Sequence, residues 1–279
     1  MRKLFEGVCT AIVTPFKGGR LAGQTVVDFD ALGELVEMQL RGGVGSILVL
    51  GTTGESAALS FDERGEVIKF VIERVSGAVP VVVGASGNNL EKVLELANQA
   101  KELRASAILV TAPYYVRGTQ SGIVQWFKTI GKVGVPIVAY NIPGRAGVNI
   151  TPATMAIIAK DKSIVGIKES SGNIEQICEV IRLCPKVAVY AGDDLLSLPA
   201  YAVGAKGVVS VASNIIPEEV NSIWVAHRRG TNNRARKLFL EQLPFYRSLF
   251  TEVNPVPIKK MLADSGLISN IVRLPLTAI

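Results

Sequence analysis

The sequence has one histidine, His227, and three cysteines, Cys9, Cys178 and Cys184. Neither type clusters at ligand spacing, so a transition-metal site lacks a donor set. An odd, sparse cysteine set excludes a disulfide scaffold and fits reduced thiols in the cytosol. No apolar run approaches the ~18 residues of a membrane span. The opening MRKLFEGVCTAIVTP lacks a signal-type apolar block and enters a strand pattern almost at once. These absences predict a cytoplasmic protein with no membrane partner. The net charge of +6 is concentrated partly in HRRGTNNRARK (227–237), without aromatic interleaving or a binding motif. That predicts a solvated helix face and no nucleic-acid partner. The basic balance suits small anionic substrates.

What the sequence does hold is material for buried strands. Hydrophobic residues make up 48% of the 279, enough for a large core in one or two domains. Eight short apolar runs recur: GVCTAIVTP (7–15), GSILVL (45–50), VPVVVGA (79–85), SAILVTA (106–112), VPIVAYN (135–141), SIVGIK (163–168), VAVYAG (187–192) and GVVSV (207–211). Each is rich in Val and Ile and close to strand length. Little polar alternation interrupts them, which argues for strands buried on both faces in a parallel sheet.

Helical patterns fill the gaps, over Phe29–Arg41, Phe61–Val75, 90–103, 122–133, 151–160, 173–183 and 195–203. Helix-start signals stand at Ser60, at Thr151-Pro152 and at Asp193-Asp194. Eight β/α units predict an α/β protein built as a TIM (β/α)8 barrel. A doubly wound open sheet is the alternative, but it rarely needs eight strands so evenly spaced. After Ile215 the strand pattern stops, and helices are expected over 218–227, 232–250 and Val256–Asp264. The first would close the barrel as its eighth helix; the others are additional C-terminal helices. Residues 1–215 would carry the barrel strands and most helices, and 216–279 the rest, packed as one domain unit.

In such a barrel, active-site residues gather where strands end and βα loops begin. The sixth run ends in Lys168-Glu169, a lysine closing a buried strand. It either reaches solvent along its aliphatic stem or is an amine held in a partly desolvated pocket, placed to form a Schiff base with a ketone. The other strand ends offer Thr52-Thr53 within GTTGES, Tyr114-Tyr115, Tyr140-Asn141, Arg145, Gly192-Asp193-Asp194 and Val209-Ser210. Each has an ordinary structural explanation: a tight turn, a packing aromatic, a surface arginine, and for the aspartates helix capping. GTTGES lacks the GK[ST] ending of a nucleotide-binding loop. The joint appearance of a lysine, an arginine, phenols, hydroxyls and glycines at one barrel face favours a catalytic site.

GTTGES, APYY, YNIPGR, GIKES, AGDD, GVVSV and NPVPIK (254–259) together resemble the dihydrodipicolinate synthase family, from end to end of the chain. That family belongs to the pyruvate-dependent class I aldolases, which include N-acetylneuraminate lyase. The resemblance implies condensation of pyruvate with L-aspartate 4-semialdehyde in lysine and diaminopimelate biosynthesis, with no metal or organic cofactor. It implies Lys168 as the Schiff-base residue and Tyr140 as general acid/base. Thr52 and Tyr115 would complete a hydroxyl relay. Thr53 and Val209 would hold the pyruvate and Gly192 would border it, while Arg145 would bind the semialdehyde carboxylate. It further implies a homotetramer built from dimers, with Tyr115 contributed across the dimer interface. Two other readings compete: a related aldolase acting on a sugar acid or another 2-oxo acid, and a non-catalytic barrel that binds a small acid. Lysine-inhibited members use a histidine and a glutamate where this chain has Phe61 and Lys92, although Ser56, Ala57, Asn88 and Tyr114 match. A phenyl cannot donate the imidazole hydrogen bond and a second cation repels lysine, so weak or absent feedback is expected.

Overall fold

The computed structural model describes residues 4–19, 21 and 23–279. Residues 1–3, where the predicted barrel portion begins, lie outside the described residues. Stiff β-branched side chains favour extended backbone, and every predicted run contains a strand. In chain order the strands are β1 (Gly7–Ala11), β2 (Phe16–Gly18), β3 (Thr25–Val27), β4 (Ser46–Val49), β5 (Val81–Gly84), β6 (Ala107–Thr111), β7 (Ile137–Asn141), β8 (Ile164–Glu169), β9 (Ala188–Ala191) and β10 (Gly207–Ser210). β1 and β4 to β10 pair in sequence, all parallel, and β10 returns to β1, closing an eight-stranded TIM barrel. The expected fold is the observed one. The antiparallel β2–β3 hairpin is an addition. Its three-residue strands are too short to carry a periodic signal.

Successive residues of a strand point to opposite faces, so each barrel strand divides its side chains between two cores. Cys9, Leu48, Val82, Leu109, Val138, Tyr140, Tyr190 and Val209 face one another inside the barrel. Their neighbours pack outward under the helices. Phe5 stacks on Tyr190, with ring centroids 4.1 Å apart, and the Tyr190 hydroxyl donates to the Phe5 carbonyl at 3.1 Å. Together they plug the N-terminal end of the barrel. The C-terminal end is left for the site.

Helices start where local caps dictate. Ser60 and Glu63 form a reciprocal capping box ahead of Phe61–Val75. Thr119 accepts from the Gly122 N–H, so the helix expected from 122 begins at Gln120. The segment expected as one helix over 195–203 is a 3-10 turn, Asp194–Leu196, followed by Ser197–Ala202, with Pro199 in the first turn where a missing N–H costs little. Helix Pro217–Arg228 packs on β1, filling the eighth helical position. Helices Asn232–Ser248 and Val256–Asp264 follow, and the chain from 265 runs without regular structure back to the barrel mouth. Among the described residues no helix is long and apolar enough to cross a membrane.

Candidate active site

Parallel pairing puts Tyr140 of β7 opposite Lys168 of β8, and Asn141 opposite Glu169. Register partners in parallel strands share a face, so Lys168 and Tyr140 both point into the barrel. The lysine Nζ lies 4.2 Å from the Tyr140 ring centroid. Both residues are buried, at 7% and 5% exposure. The amine and the phenol are therefore side by side in a desolvated setting. Lys168 does not escape to solvent along its stem.

Glu169 points the other way. It accepts from Asn141 Nδ2 at 3.1 and 3.0 Å, from Gln176 Nε2 at 2.9 Å and from the Ser171 N–H at 2.7 Å. This network fixes the end of β8 from behind and keeps the carboxylate off the lysine. The acidic group that senses Lys168 is Asp193. Burial raises its carboxyl above the usual range, while the Leu195 N–H and the Lys168 charge pull it back. Inside the barrel, burial pushes the Cys9 thiol up to about 12, against a Ser46 hydrogen bond and the Lys168 charge, so it stays a neutral packing group.

A cavity of about 370 Å³ opens at Tyr140, and Lys168 stands behind that phenol rather than in the cavity wall. Thr52, Tyr140 and Arg145 line it, and Tyr114, Arg64 and Asn254 are among the other wall residues. Arg145 sits on the one-turn helix Pro143–Ala146 at the exposed rim, its Nη2 donating to the Asn254 carbonyl at 3.4 Å. A cation at the entrance of a cleft suits a carboxylate-bearing ligand.

The other predicted residues are placed as follows. Thr53 is buried, and its Oγ1 accepts from Asn254 Nδ2 at 3.0 Å. Val209 is one of the inward apolar residues beside Tyr140. Gly192 lies against Lys168: a methyl on it would stand 3.0 Å from Lys168 Cε and 1.8 Å from Ser170 Oγ. Tyr115 is not in the cavity wall. It is 87% exposed with φ 75°, and it projects from the chain beside exposed Tyr114 and Val116. The aspartates divide their roles. Asp193 caps the following turn through the Leu195 N–H at 2.9 Å. Asp194, expected as a cap, instead turns into the core and accepts from the Val211 and Ala212 N–H groups at 2.9 and 3.1 Å, tying the end of β9 to that of β10.

The sequence model of the dihydrodipicolinate synthetase family matches residues 4–279. The chain belongs to that family. A 4-hydroxy-tetrahydrodipicolinate synthase of Geobacter metallireducens is 43% identical over 275 residues, covering 98% of this chain and 93% of the relative. The crystal structure of dihydrodipicolinate synthase from Thermotoga maritima superposes with a TM-score of 0.95 at 39% identity, covering 99% of this chain and 94% of the other. That from Aquifex aeolicus gives 0.94 at 40% identity, covering 99% and 93%.

Sequence reasoning missed the supports of the candidate site. Arg64, 6% exposed, donates to the Ser56 carbonyl at 3.0 Å and the Gly84 carbonyl at 2.6 Å, and burial lowers its guanidinium to about 10. It pins the loop after β4 to the end of β5. Lys259, wholly buried, pairs with Glu55 at 2.6 Å. Burial pushes its amine down and the Glu55 carboxylate holds it up. The signal available was NPVPIK, whose lysine falls on the apolar face of a short helix. Its partner is 204 residues away in sequence, and no local pattern announces it.

Proposed function

We propose that this chain is a 4-hydroxy-tetrahydrodipicolinate synthase, a lyase that condenses pyruvate with L-aspartate 4-semialdehyde through a Schiff base on Lys168. Family membership over residues 4–279 supports the activity. The observation that carries the mechanism is the buried Lys168 amine 4.2 Å from the Tyr140 ring, in register across β7 and β8.

The Lys168 nitrogen attacks the pyruvate ketone, and loss of water leaves an imine. The imine is a stronger electron sink than the ketone, so a methyl proton departs and an enamine forms. The enamine carbon attacks the aldehyde of the semialdehyde. Its amine then displaces Lys168 and closes the ring. Each step moves a proton, which is the task assigned to the Tyr140 phenol with Thr52 and Tyr115. Thr53, Val209 and Gly192 bound the pyruvate pocket. Arg145 receives the semialdehyde carboxylate at the rim. The scheme calls on no metal or organic cofactor.

Tyr115 serves a neighbouring subunit in this reading. Exposed Tyr114, Tyr115 and Val116 form a contiguous apolar protrusion, which suits an interface between copies. The assembly is a homotetramer of two dimers, and each protomer is one domain unit. Three free cysteines suit a reducing cytoplasm.

The test is a turnover assay with pyruvate and aspartate semialdehyde, run beside cleavage assays with sialic acid and 2-keto-3-deoxy sugar acids. Condensation is expected and sugar-acid cleavage is not. Turnover of the sugar acids alone contradicts the assignment.

A further inference from the structure

The loop that carries Thr52 and Thr53 begins and ends in a backbone conformation that side chains disfavour. Leu50 has φ 56° and Glu55 has φ 50°, and neither is glycine. Within the loop, the Gly54 N–H closes on the Gly51 carbonyl and the Glu55 N–H on the Thr52 carbonyl, both at 3.1 Å. The position of Thr52 is thus set by where Glu55 is held.

Glu55 is held by the far end of the chain. Its Oε1 takes the Lys259 ammonium at 2.6 Å, and its Oε2 takes the Arg273 backbone N–H at 2.9 Å. Lys259 also donates to the Thr14 carbonyl at 2.9 Å and lies 4.2 Å from the Phe16 ring centroid. The Thr14 hydroxyl donates to the Gly54 carbonyl at 2.7 Å, and Asn254 Nδ2 reaches Thr53 Oγ1. Residues 53, 54 and 55 each have a separate hold, two of them from beyond residue 253.

A buried ion pair is a poor way to gain stability, because desolvation offsets most of the attraction and an apolar pair of similar volume often does as well. What it supplies is direction. Lys259 meets two oxygen acceptors, the Glu55 carboxylate and the Thr14 carbonyl, and shares the Phe16 ring with Arg273, so its ammonium ties the loop to fixed points. We propose that the Lys259–Glu55 pair, with Asn254, positions the Thr52–Thr53 hydroxyls for proton transfer and pyruvate binding, so that the C-terminal segment is a working part of the active site. The inference rests on the Schiff-base reading above. Lys259, Glu55 and Asn254 are positioning residues, acting through Thr52 and Thr53.

Lys259→Met alone strands a buried carboxylate and is expected to fold poorly. The informative variant is therefore the double change Glu55→Gln/Lys259→Met, which removes both charges and keeps an acceptor for the Arg273 N–H. Asn254→Ala, on a half-buried loop, is the milder companion. Thermal melting, borohydride trapping of pyruvate on Lys168, and kcat and KM for condensation are measured on all three chains. The double variant is expected to melt near wild type and still trap pyruvate at saturation, but with kcat down about 10- to 100-fold and a raised KM for pyruvate. Asn254→Ala is expected to move the same two parameters, about threefold. If wild type traps pyruvate and both variants keep wild-type kcat and KM, the pair is structural only and the inference is overturned. A wild-type chain that traps no pyruvate overturns the Schiff-base reading, and this inference with it.

Discussion

Two charges adjacent in sequence, Lys168 and Glu169, are separated by strand alternation into different environments. Lys168 points into the barrel with a phenol ring as its neighbour. Glu169 points out into a cage of donors from Asn141, Gln176 and the Ser171 N–H. The cage satisfies the carboxylate without a cation, which leaves the lysine unpaired. Asp194 is a third buried charge with a different consequence. Burial raises its carboxyl from 3.8 to about 6, against hydrogen bonds from Ser210, Ala212 and Val211. The folded state therefore binds this proton more tightly than the unfolded chain. Its stabilising contribution is full below 3.8 and is lost as pH rises through about 6. Relative to Asp194→Asn, wild type is predicted to lose on the order of 3 kcal/mol of stability between pH 4 and pH 8. Denaturant melts of both proteins across that range check it; parallel curves contradict it.

The elements deliver these side chains through their ends, where close approach of backbone matters. Gly192 follows β9 and donates its N–H to the Glu169 carbonyl at 2.8 Å. Ser170 Oγ can rotate away from an added methyl, but Lys168 Cε at 3.0 Å and the Glu169 carbonyl at 3.1 Å cannot both retreat. Gly192→Ala is predicted to displace the amine and slow imine formation at least ~10-fold with a small change in melting temperature. Rapid quench with borohydride measures that rate, and an unchanged rate refutes the placement. The eight barrel strands were legible because each is an uninterrupted β-branched run. So were the helices with strong caps, such as Ser60 and Thr151. The β2–β3 hairpin was not, since three residues hold no pattern. The role of Asp194 was also hidden: Asp before a helix reads as a cap, and only tertiary structure reveals that its donors are the N–H groups just after the next strand.

Across the whole molecule, the segment that follows the last helix returns to the barrel mouth. Arg273, nine residues past the last helix Val256–Asp264, bonds Glu63 at 2.6 and 2.8 Å and lies 4.4 Å from the Phe16 ring centroid. Lys168, Tyr140, Thr52 and Arg145 could be chosen from sequence because barrel topology sends strand ends to one face. The contacts that hold their loop span more than two hundred residues and leave no trace in local sequence. The outer surface bears on regulation. Phe61 is 50% exposed and Lys92 is exposed at the start of helix Leu90–Glu102. Phe61 has no hydrogen bond to offer, and Lys92 presents a cation where an anion would attract lysine's ammonium group. Inhibition of turnover by lysine at physiological concentrations is predicted to be weak or absent; a lysine titration giving potent inhibition refutes this.

The most direct measurement is peptide mapping after incubation with pyruvate and borohydride. One reduced pyruvyl adduct per chain is expected, on Lys168, and is lost in Lys168→Ala. An adduct on another lysine, or none, contradicts it.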